Sequence, residues 1–287
     1  MKKGTMYVAG LMILIGIFIS GVVFAQGINT KDRSLVAYWS FDEEKIEETD
    51  KGYRVIDSSL YGNDGKSTGC KVVKGVFGNA LQFNGKTDYI DFPVPRPVNL
   101  TFIDKMTVML WINCGKKIKK GEPAPLVIGK NGFYSGWRIN QIYWIINGFQ
   151  FQIGGRGEDR VAKPTHASGW GPQKPRSWIH LACTFDKNLP GKNITIYVNG
   201  ECIGVTGKKE YSFAKDKKDD VVVTNPKYPI TVGGNGRAGD GWFKGKMDEL
   251  VLYNRCLSEK EVKADYERGK TRAEKLGSDK NAWLDEI

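Results

Sequence analysis

The chain has 287 residues, with 43 Lys and Arg against 32 Asp and Glu for a formal net charge of +11, and it carries 35 glycines, 8 tryptophans, 12 tyrosines and 13 phenylalanines. That length holds one large β domain or two small ones with a proper core, and the glycine and aromatic content suits an all-β chain rich in turns rather than a helical one. The lysines are scattered or sit in loops such as 116–120 and 215–218, which argues against nucleic acid as a partner and makes specific binding of any polyanion the less favoured reading of the charge.

Residues 1–25 have the form of an export signal: Lys2 and Lys3, an apolar run from Met6 to Phe24, and Val23-Phe24-Ala25 ahead of Gln26 as a small-residue cleavage pattern. The run is also long enough to stay uncleaved as an anchor, the one circumstance in which a membrane is a partner. No cysteine lies near the cut, so the segment is not a lipoprotein signal. Either way the body of the protein is expected on the far side of the membrane: secreted, periplasmic or at the cell surface. Removing Lys2 and Lys3 leaves 41 basic against 32 acidic residues, a net charge of about +9.

Leu35–Phe41 (LVAYWSF) is apolar on both faces and reads as a strand covered on both sides. The acidic residues 42–50 read as a solvated loop, and YGNDG at 61–65 and GVFGNA at 75–80 as turns. Leu81–Phe83 and Asp88–Phe92 form a hairpin pattern around Asn84-Gly85. Met106–Asn113 and Trp178–Phe185 are the strongest strands, with Leu126–Gly129, Trp137–Asn140, Tyr143–Ile146 and Phe149–Ile153 as short strands between them. Ile194–Val198 turns tightly through Asn199-Gly200 into Glu201–Val205, and the polar stretch 207–229 reads as a loop with a weak strand at Val221–Val223. Many short strands without intervening helices argue for an antiparallel sandwich.

The five cysteines, Cys70, Cys114, Cys183, Cys202 and Cys256, fit an oxidising compartment, although an odd number leaves at least one free or paired with another chain. With only His166 and His180 and no CxxC spacing, zinc is excluded in practice. Cys183 and Cys202 lie two strands apart in a meander, too far for a disulfide. Cys114 and Cys183 share core faces of their strands, either bonded to each other or packed as small hydrophobes.

Ile230-Thr231-Val232 is a short strand that breaks at Gly233–Gly236, and Phe243–Tyr253 resumes as a strand interrupted by Asp248 and Glu249. Consecutive strand positions point to opposite faces. One carboxylate is therefore expected to face water and the other to meet a cation or hydrogen-bond donors. Ser258 with Glu261 is a capping box that opens a short helix through Tyr266, closed by Gly269, and the mixed-charge tail 270–287 follows.

LVAYWSFDE, DSSLYGNDG, GVFGNALQFNGKTDYIDF, MTVMLWIN, WIHLACTFD, ITIYVNGE and FKGKMDELVLYNRCLS, in that order, resemble the laminin-G-like jelly-roll domains of the concanavalin A-like lectin/glucanase superfamily, over residues 35–269. The resemblance implies an all-β fold, an antiparallel two-sheet jelly-roll sandwich with the first and last strands adjacent. It also implies one structural calcium ion where those strands meet. The matching positions are Asp42, Asp248 and the turn at Asn63 and Asp64, with Asn63 the weaker; calcium takes six to eight oxygens, so turn carbonyls would complete the set.

A glycoside hydrolase needs two carboxylates across a cleft, about 5 to 9.5 Å apart. The Glu-x-Asp-x-x-Glu alternation of the superfamily's retaining glucanases is missing, and Glu158-Asp159, like Asp248-Glu249, are adjacent rather than alternating. His180 reads as a packed or hydrogen-bonded strand residue. The expectation is therefore an exported non-catalytic module that binds a glycan or glycoprotein, with a cell-envelope protein as the alternative partner. Trp170, between Gly169 and Gly171 in a loop rich in Pro and Gly, leads the ligand-binding candidates, followed by Trp242, Tyr134 and Arg237.

Overall fold

Short alternating runs punctuated by glycine turns build seventeen strands and one long helix in a computed structural model, which describes residues 27–92, 104–132, 135–142, 147–154, 165–172, 174, 176–189, 192–205, 229–234 and 241–278. In chain order the strands are β1 (Leu35–Trp39), β2 (Ile46–Thr49), β3 (Gly52–Val55), β4 (Gly65–Thr68), β5 (Lys71–Lys74), β6 (Asn79–Asn84), β7 (Tyr89–Phe92), β8 (Lys105–Cys114), β9 (Leu126–Gly132), β10 (Ser135–Gln141), β11 (Gly148–Gly154), β12 (Thr165–Trp170), β13 (Trp178–Asp186), β14 (Ile194–Val198), β15 (Glu201–Val205), β16 (Ile230–Val232) and β17 (Lys244–Tyr253), followed by α1 (Glu259–Ser278).

The strands form two antiparallel sheets of a jelly-roll sandwich. Sheet A runs β15-β14-β13-β8-β17-β6-β5, with β1 also paired to β17, and sheet B runs β12-β11-β10-β9-β16-β7-β4-β3-β2. Their facing sides bury one core, in which Trp39 stacks on Phe92 at 3.8 Å between ring centroids and Phe83 meets Phe243 edge-on. The tight turn at Asn199-Gly200 has φ of 53° and 77°, the left-handed pair that a two-residue hairpin needs.

β17 organises sheet A. One flank pairs with β8 along most of its length, while the other pairs with β6 through Met247↔Leu81 and then with β1 from Trp39↔Leu250. At this handover Asp248 lies opposite Trp111 but Val251 lies opposite Met109, so β17 carries one extra residue, and Glu249 takes φ 52°. This is a β-bulge. It overturns the expectation that one of the two carboxylates faces water, because the bulge breaks the alternation and both Asp248 and Glu249 are buried.

Other expectations are corrected as well. The acidic stretch after Phe41 forms a short 3₁₀ turn and then an edge hairpin, β2 with β3, held by backbone pairing that its exposed glutamates do not disturb. Helix α1 opens at the capping box, where the Glu261 N–H donates to Ser258 Oγ and the Ser258 N–H to Glu261 Oε2, but Gly269 does not end it. A Cβ at Gly269 would lie 2.4 Å from Trp111 Cζ2, so glycine here permits close approach of the helix to the outer face of sheet A. Cys183 lies opposite Val108, six residues along β8 from Cys114, about 20 Å by strand rise. The two cysteines therefore form no disulfide. None of the five cysteines is in a disulfide, and burial raises the thiol pKa values of Cys114 and Cys183. Tyr143–Ile146, Val221–Val223 and residues 1–25 lie outside the described residues. No helix among the described residues is long and apolar enough to cross a membrane.

Candidate functional site

The face of sheet B that points away from the core carries a polar surface. In β10 to β12, Trp137, Ile139, Phe149, Phe151, Ile153 and Ala167 are core residues, so the alternate positions Arg138, Asn140, Gln150, Gln152, His166, Ser168 and Trp170 lie on the opposite face. Register aligns His166 with Gln152, Gln152 with Arg138 and Arg138 with Gly129; the row continues through Thr231 and Asp91. Arg138 Nε and Nη2 donate to Gln152 Oε1 at 3.3 and 3.2 Å, Gln150 Nε2 donates to Ser168 Oγ, and Thr231 Oγ1 donates to Asp91 Oδ1. Gly129 interrupts the row of side chains between Arg138 and Thr231. Amide, imidazole, guanidinium and hydroxyl groups on one face are the groups that hydrogen-bond sugar hydroxyls.

Trp170 stands at the edge of this face and is 50 % exposed. The sequence suggested a loop here, but the structure makes Trp170 the last residue of β12, opposite Gly148. Trp242 is half-buried, its ring 6.1 Å from that of Tyr89, which by alternation with the buried Ile90 lies on the same outer face. Tyr134 and Arg237 lie outside the described residues.

The second cluster surrounds the β17 bulge. Asp42 and Asp248 converge on the turn 75–79: Asp248 Oδ2 accepts the Phe77 N–H at 2.9 Å, and Asp42 Oδ1 accepts the Asn79 N–H at 3.1 Å. A Cβ at Gly75 would fall 2.5 Å from Asp248 Oδ2, and one at Gly78 would overlap Asp42 Oδ1. Two glycines thus let the turn close over both carboxylates. Burial, then the charge of Glu249 and that of Asp42, raise the pKa of Asp248 well above the usual carboxylate range. Its Oδ1 is buried without a hydrogen-bond partner, and among the described residues no basic side chain pairs with it or with Asp42. Asn63 does not join them: its carbonyl accepts the Trp39 indole N–H and its Nδ2 donates to the Val36 carbonyl, while its own N–H is held by Asp57. No group of three or more His, Cys, Asp or Glu suited to a metal occurs among the described residues. A cation at the bulge would therefore have to draw most of its oxygens from carbonyls, with the orphaned Oδ1 of Asp248 as the free carboxylate donor.

Glu249 points toward helix α1. Its Oε1 accepts the Tyr38 hydroxyl at 2.8 Å and its Oε2 accepts Arg268 Nη2 at 2.6 Å; Arg268 Nε donates to Asp265 Oδ1, and Asp265 Oδ2 accepts His180 Nε2 at 3.0 Å. Burial raises the Tyr38 and Glu249 pKa values; the neighbouring Glu249 raises Tyr38 further, while Arg268 offsets part of the shift at Glu249. This buried network was not legible in the sequence. Its one sequence signal was Asp265 and Arg268, three apart on the helix that follows the capping box.

The fold defines a class: a two-sheet jelly roll with one helix packed on its outer side. The chain matches the Laminin_G_3 family model, described as the concanavalin A-like lectin/glucanases superfamily, over residues 84–263, and it belongs to that family. No curated protein matches it. Among solved structures it is similar to the binding domain of Paraclostridial Mosquitocidal Protein 1, at 17 % identity and TM-score 0.57, covering 83 % of this chain and 52 % of that one. It is also similar to the binding domain of Botulinum Neurotoxin DC in complex with SialylT, at 14 % identity and TM-score 0.56, covering 84 % and 52 %. The same domain in complex with rat synaptotagmin II gives 14 % identity, TM-score 0.56, and coverage of 82 % and 52 %. The chain spans about half the length of these binding domains, and at such identities the likeness concerns the fold.

Proposed function

We propose that the protein is an exported, non-catalytic binding module whose ligand is a glycan or the glycan of a glycoprotein, held on the outer face of sheet B. The observation that carries this reading is the half-buried polar row of His166, Gln152 and Arg138 on the same face as the exposed Trp170, which lies four residues further along β12, about 13 Å by strand rise, so that the face offers hydrogen-bonding groups for hydroxyls and an aromatic face for a sugar ring. One structural neighbour, the binding domain of Botulinum Neurotoxin DC, is described in complex with SialylT and also with rat synaptotagmin II; this chain covers 52 % of that domain, so a glycan or a protein partner is the analogy it offers. A non-catalytic role accords with the carboxylates of β17, which are buried and committed to the turn 75–79, Tyr38 and Arg268 instead of facing a cleft.

A structural calcium ion belongs to the same proposal. Asp42 and Asp248 would hold it, and it would offset the cost of burying the Asp248 carboxylate, whose Oδ1 has no hydrogen-bond partner. Calcium would supply charge balance at the bulge and no chemistry.

A glycan array probed with the purified fragment 26–287, with and without calcium, tests the reading. Trp170→Ala is expected to abolish the array signal while leaving the unfolding midpoint close to that of the parent. An array without signal, together with capture of a cell-envelope protein that Trp170→Ala does not disturb, would favour the adhesive alternative. Calcium is expected to raise the unfolding temperature of the parent over its value in EDTA and to leave Asp248→Asn unchanged.

A further inference from the structure

Where helix α1 runs past the turn 75–79, a groove of about 540 Å³ stays open between them. Its floor is apolar: Val76 is 3 % exposed and Leu276 is half-buried, and both pack in the cluster that holds Trp111 and Ala273. Its rim is basic. Lys74, the last residue of β5, lines one side, Arg272 and Lys275 line the helix side, and all three are exposed. The ring of Phe77 lies 4.6 Å from Arg272 Cζ, which steadies that guanidinium beside the groove. Among the described residues Lys74, Arg272 and Lys275 form no ion pair, whereas Arg268, one turn earlier on the helix, is committed to Glu249 and Asp265. Cations near a helix C-terminus offset its dipole. That accounts for Arg272 and Lys275, but not for Lys74 on the opposite wall.

Ser278 also lines the groove, and its Oγ donates to the Lys275 carbonyl at 2.8 Å. Residues 279–287 therefore set out from the groove's edge. They read Asp279-Lys280-Asn281-Ala282-Trp283-Leu284-Asp285-Glu286-Ile287 and lie outside the described residues. Three acids against one lysine make this segment acidic, and Trp283, Leu284 and Ile287 make it apolar. Both properties complement the groove. Trp283 stands five residues beyond Ser278, a reach of up to about 17 Å in extended chain. The indole can thus turn back onto Val76 and Leu276, with Asp285 and Glu286 at the basic rim.

We infer that this groove is the seat of the chain's own segment 279–287, with Trp283 on the apolar floor and Asp285 and Glu286 against Lys74, Arg272 and Lys275. The covalent tether makes the contact intramolecular, so the segment outcompetes a free partner of the same chemistry. Exposed ion pairs contribute little each, so the buried indole supplies most of the energy and the rim sets the direction in which the segment lies. Gly75 and Gly78 line the groove as well. These are the glycines whose missing Cβ atoms leave room for Asp248 and Asp42, so the seated segment lies across that turn and holds it closed over both carboxylates. The inference uses neither the sugar site on sheet B nor a calcium ion.

The test is amide hydrogen exchange of the purified protein, read on residues 279–287. In the parent the segment is expected to exchange more slowly than a free peptide of the same sequence. Trp283→Ala is expected to speed that exchange at least about tenfold, and Lys74→Gln, Arg272→Gln and Lys275→Gln together about fivefold. Lys51→Gln, Lys86→Gln and Lys117→Gln together, the same change in net charge away from the groove, are expected to stay within about twofold. Lys275→Glu is expected to loosen the segment, and Glu286→Lys added to it to restore protection, a rescue that a folding defect would not give. A segment that exchanges like the free peptide in the parent would overturn the inference, and so would protection that either the Trp283 or the rim variant leaves unchanged. Protection that disappears on dilution would assign the segment to the groove of a second copy and overturn the intramolecular contact.

Discussion

Arg268 Nη2 lies 2.6 Å from Glu249 Oε2, and this contact fastens helix α1 to the bulge of β17. The side chains of Arg268 and Glu249 are 10 % and 3 % exposed, so the pair operates away from water. Burial alone would lower the pKa of Arg268, but the charges of Asp265 and Glu249 outweigh it and keep the guanidinium charged. The ring of Phe77 lies 3.9 Å from its Cζ, which adds a cation–π contact and brings the calcium-candidate turn into the same assembly.

Arg268→Met is expected to destabilise the fold by about 3 to 5 kcal/mol, because it leaves two carboxylates buried without their cation. Adding Glu249→Gln to that variant is expected to recover part of the loss. Urea unfolding of the parent, both single variants and the double variant measures the coupling. Additive effects would mean that the pair is not coupled, contrary to the geometry.

Gly269→Ala sets helix propensity against packing. Alanine is favoured over glycine in a helix interior by about 1 kcal/mol, but here its Cβ would fall 2.4 Å from Trp111 Cζ2 and 2.9 Å from Phe77 Cε2. Both rings are parts of a packed interface, and a shift of the helix away from them would stretch the Arg268 contacts. The net effect is expected to be a loss of about 1 to 3 kcal/mol, read as a lower urea midpoint. A gain in stability would show that the helix moves freely on the sheet.

The strong strands β8 and β13 and the tight hairpin at Asn199-Gly200 were legible from their apolar runs and turn chemistry, and the pairing of β1 with β17 was what the family resemblance implied. The pattern around Asn84-Gly85 is not a hairpin, because β6 pairs in sheet A and β7 in sheet B. The fate of Asp248 and Glu249 was not legible either. A bulge depends on which strands flank β17 and on where β6 gives way to β1, a relation between segments more than 160 residues apart that alternation within one segment does not encode. Gly269 misled for a related reason: locally it resembles a helix stop, and only the nearness of Trp111 explains it. For the candidate site, the exposure of Trp170 was legible from its Gly-flanked setting, whereas the alignment of Arg138, Gln150 and Gln152 was not, because amides and guanidinium groups in short strands look like any solvated face until register aligns them. The edge strands β2 and β12 escaped because their residues are polar or glycine-rich and carry little apolar periodicity.

The cysteines give a direct chemical check of the sandwich. Cys202 is exposed, Cys256 is half-buried, and Cys70, Cys114 and Cys183 are buried. A thiol reagent added to the native protein is expected to modify Cys202 first and to spare Cys114 and Cys183 until denaturant is added, since burial both blocks access and disfavours the thiolate. Reductant is expected to leave the unfolding midpoint unchanged. Peptide mapping that found Cys114 linked to Cys183 would contradict the register of β8 and β13.

Asp265 makes the stability of the helix contact depend on acid. Burial works against its carboxylate, but the hydrogen bond from His180 and the charge of Arg268 outweigh it and hold the group below its ordinary value of 3.8. A carboxylate whose pKa is lower folded than unfolded contributes stability that is fully present above the unfolded value, about 3.9, and is lost as pH falls through the folded one. The carboxylate only accepts, so His180 Nε2 must be the donor, and replacement by an amide keeps the shape while removing the charge. Asp265→Asn is expected to cost about 1.5 to 3 kcal/mol near pH 6, with the gap between parent and variant closing below about pH 4 as the parent's carboxylate takes up its proton. Urea unfolding of both proteins from pH 6 down to pH 2.5 reads that gap directly. A gap that stays constant across the range would mean that the contribution of Asp265 is packing and not charge, and the link from His180 through Arg268 to Glu249 would then lose its electrostatic basis.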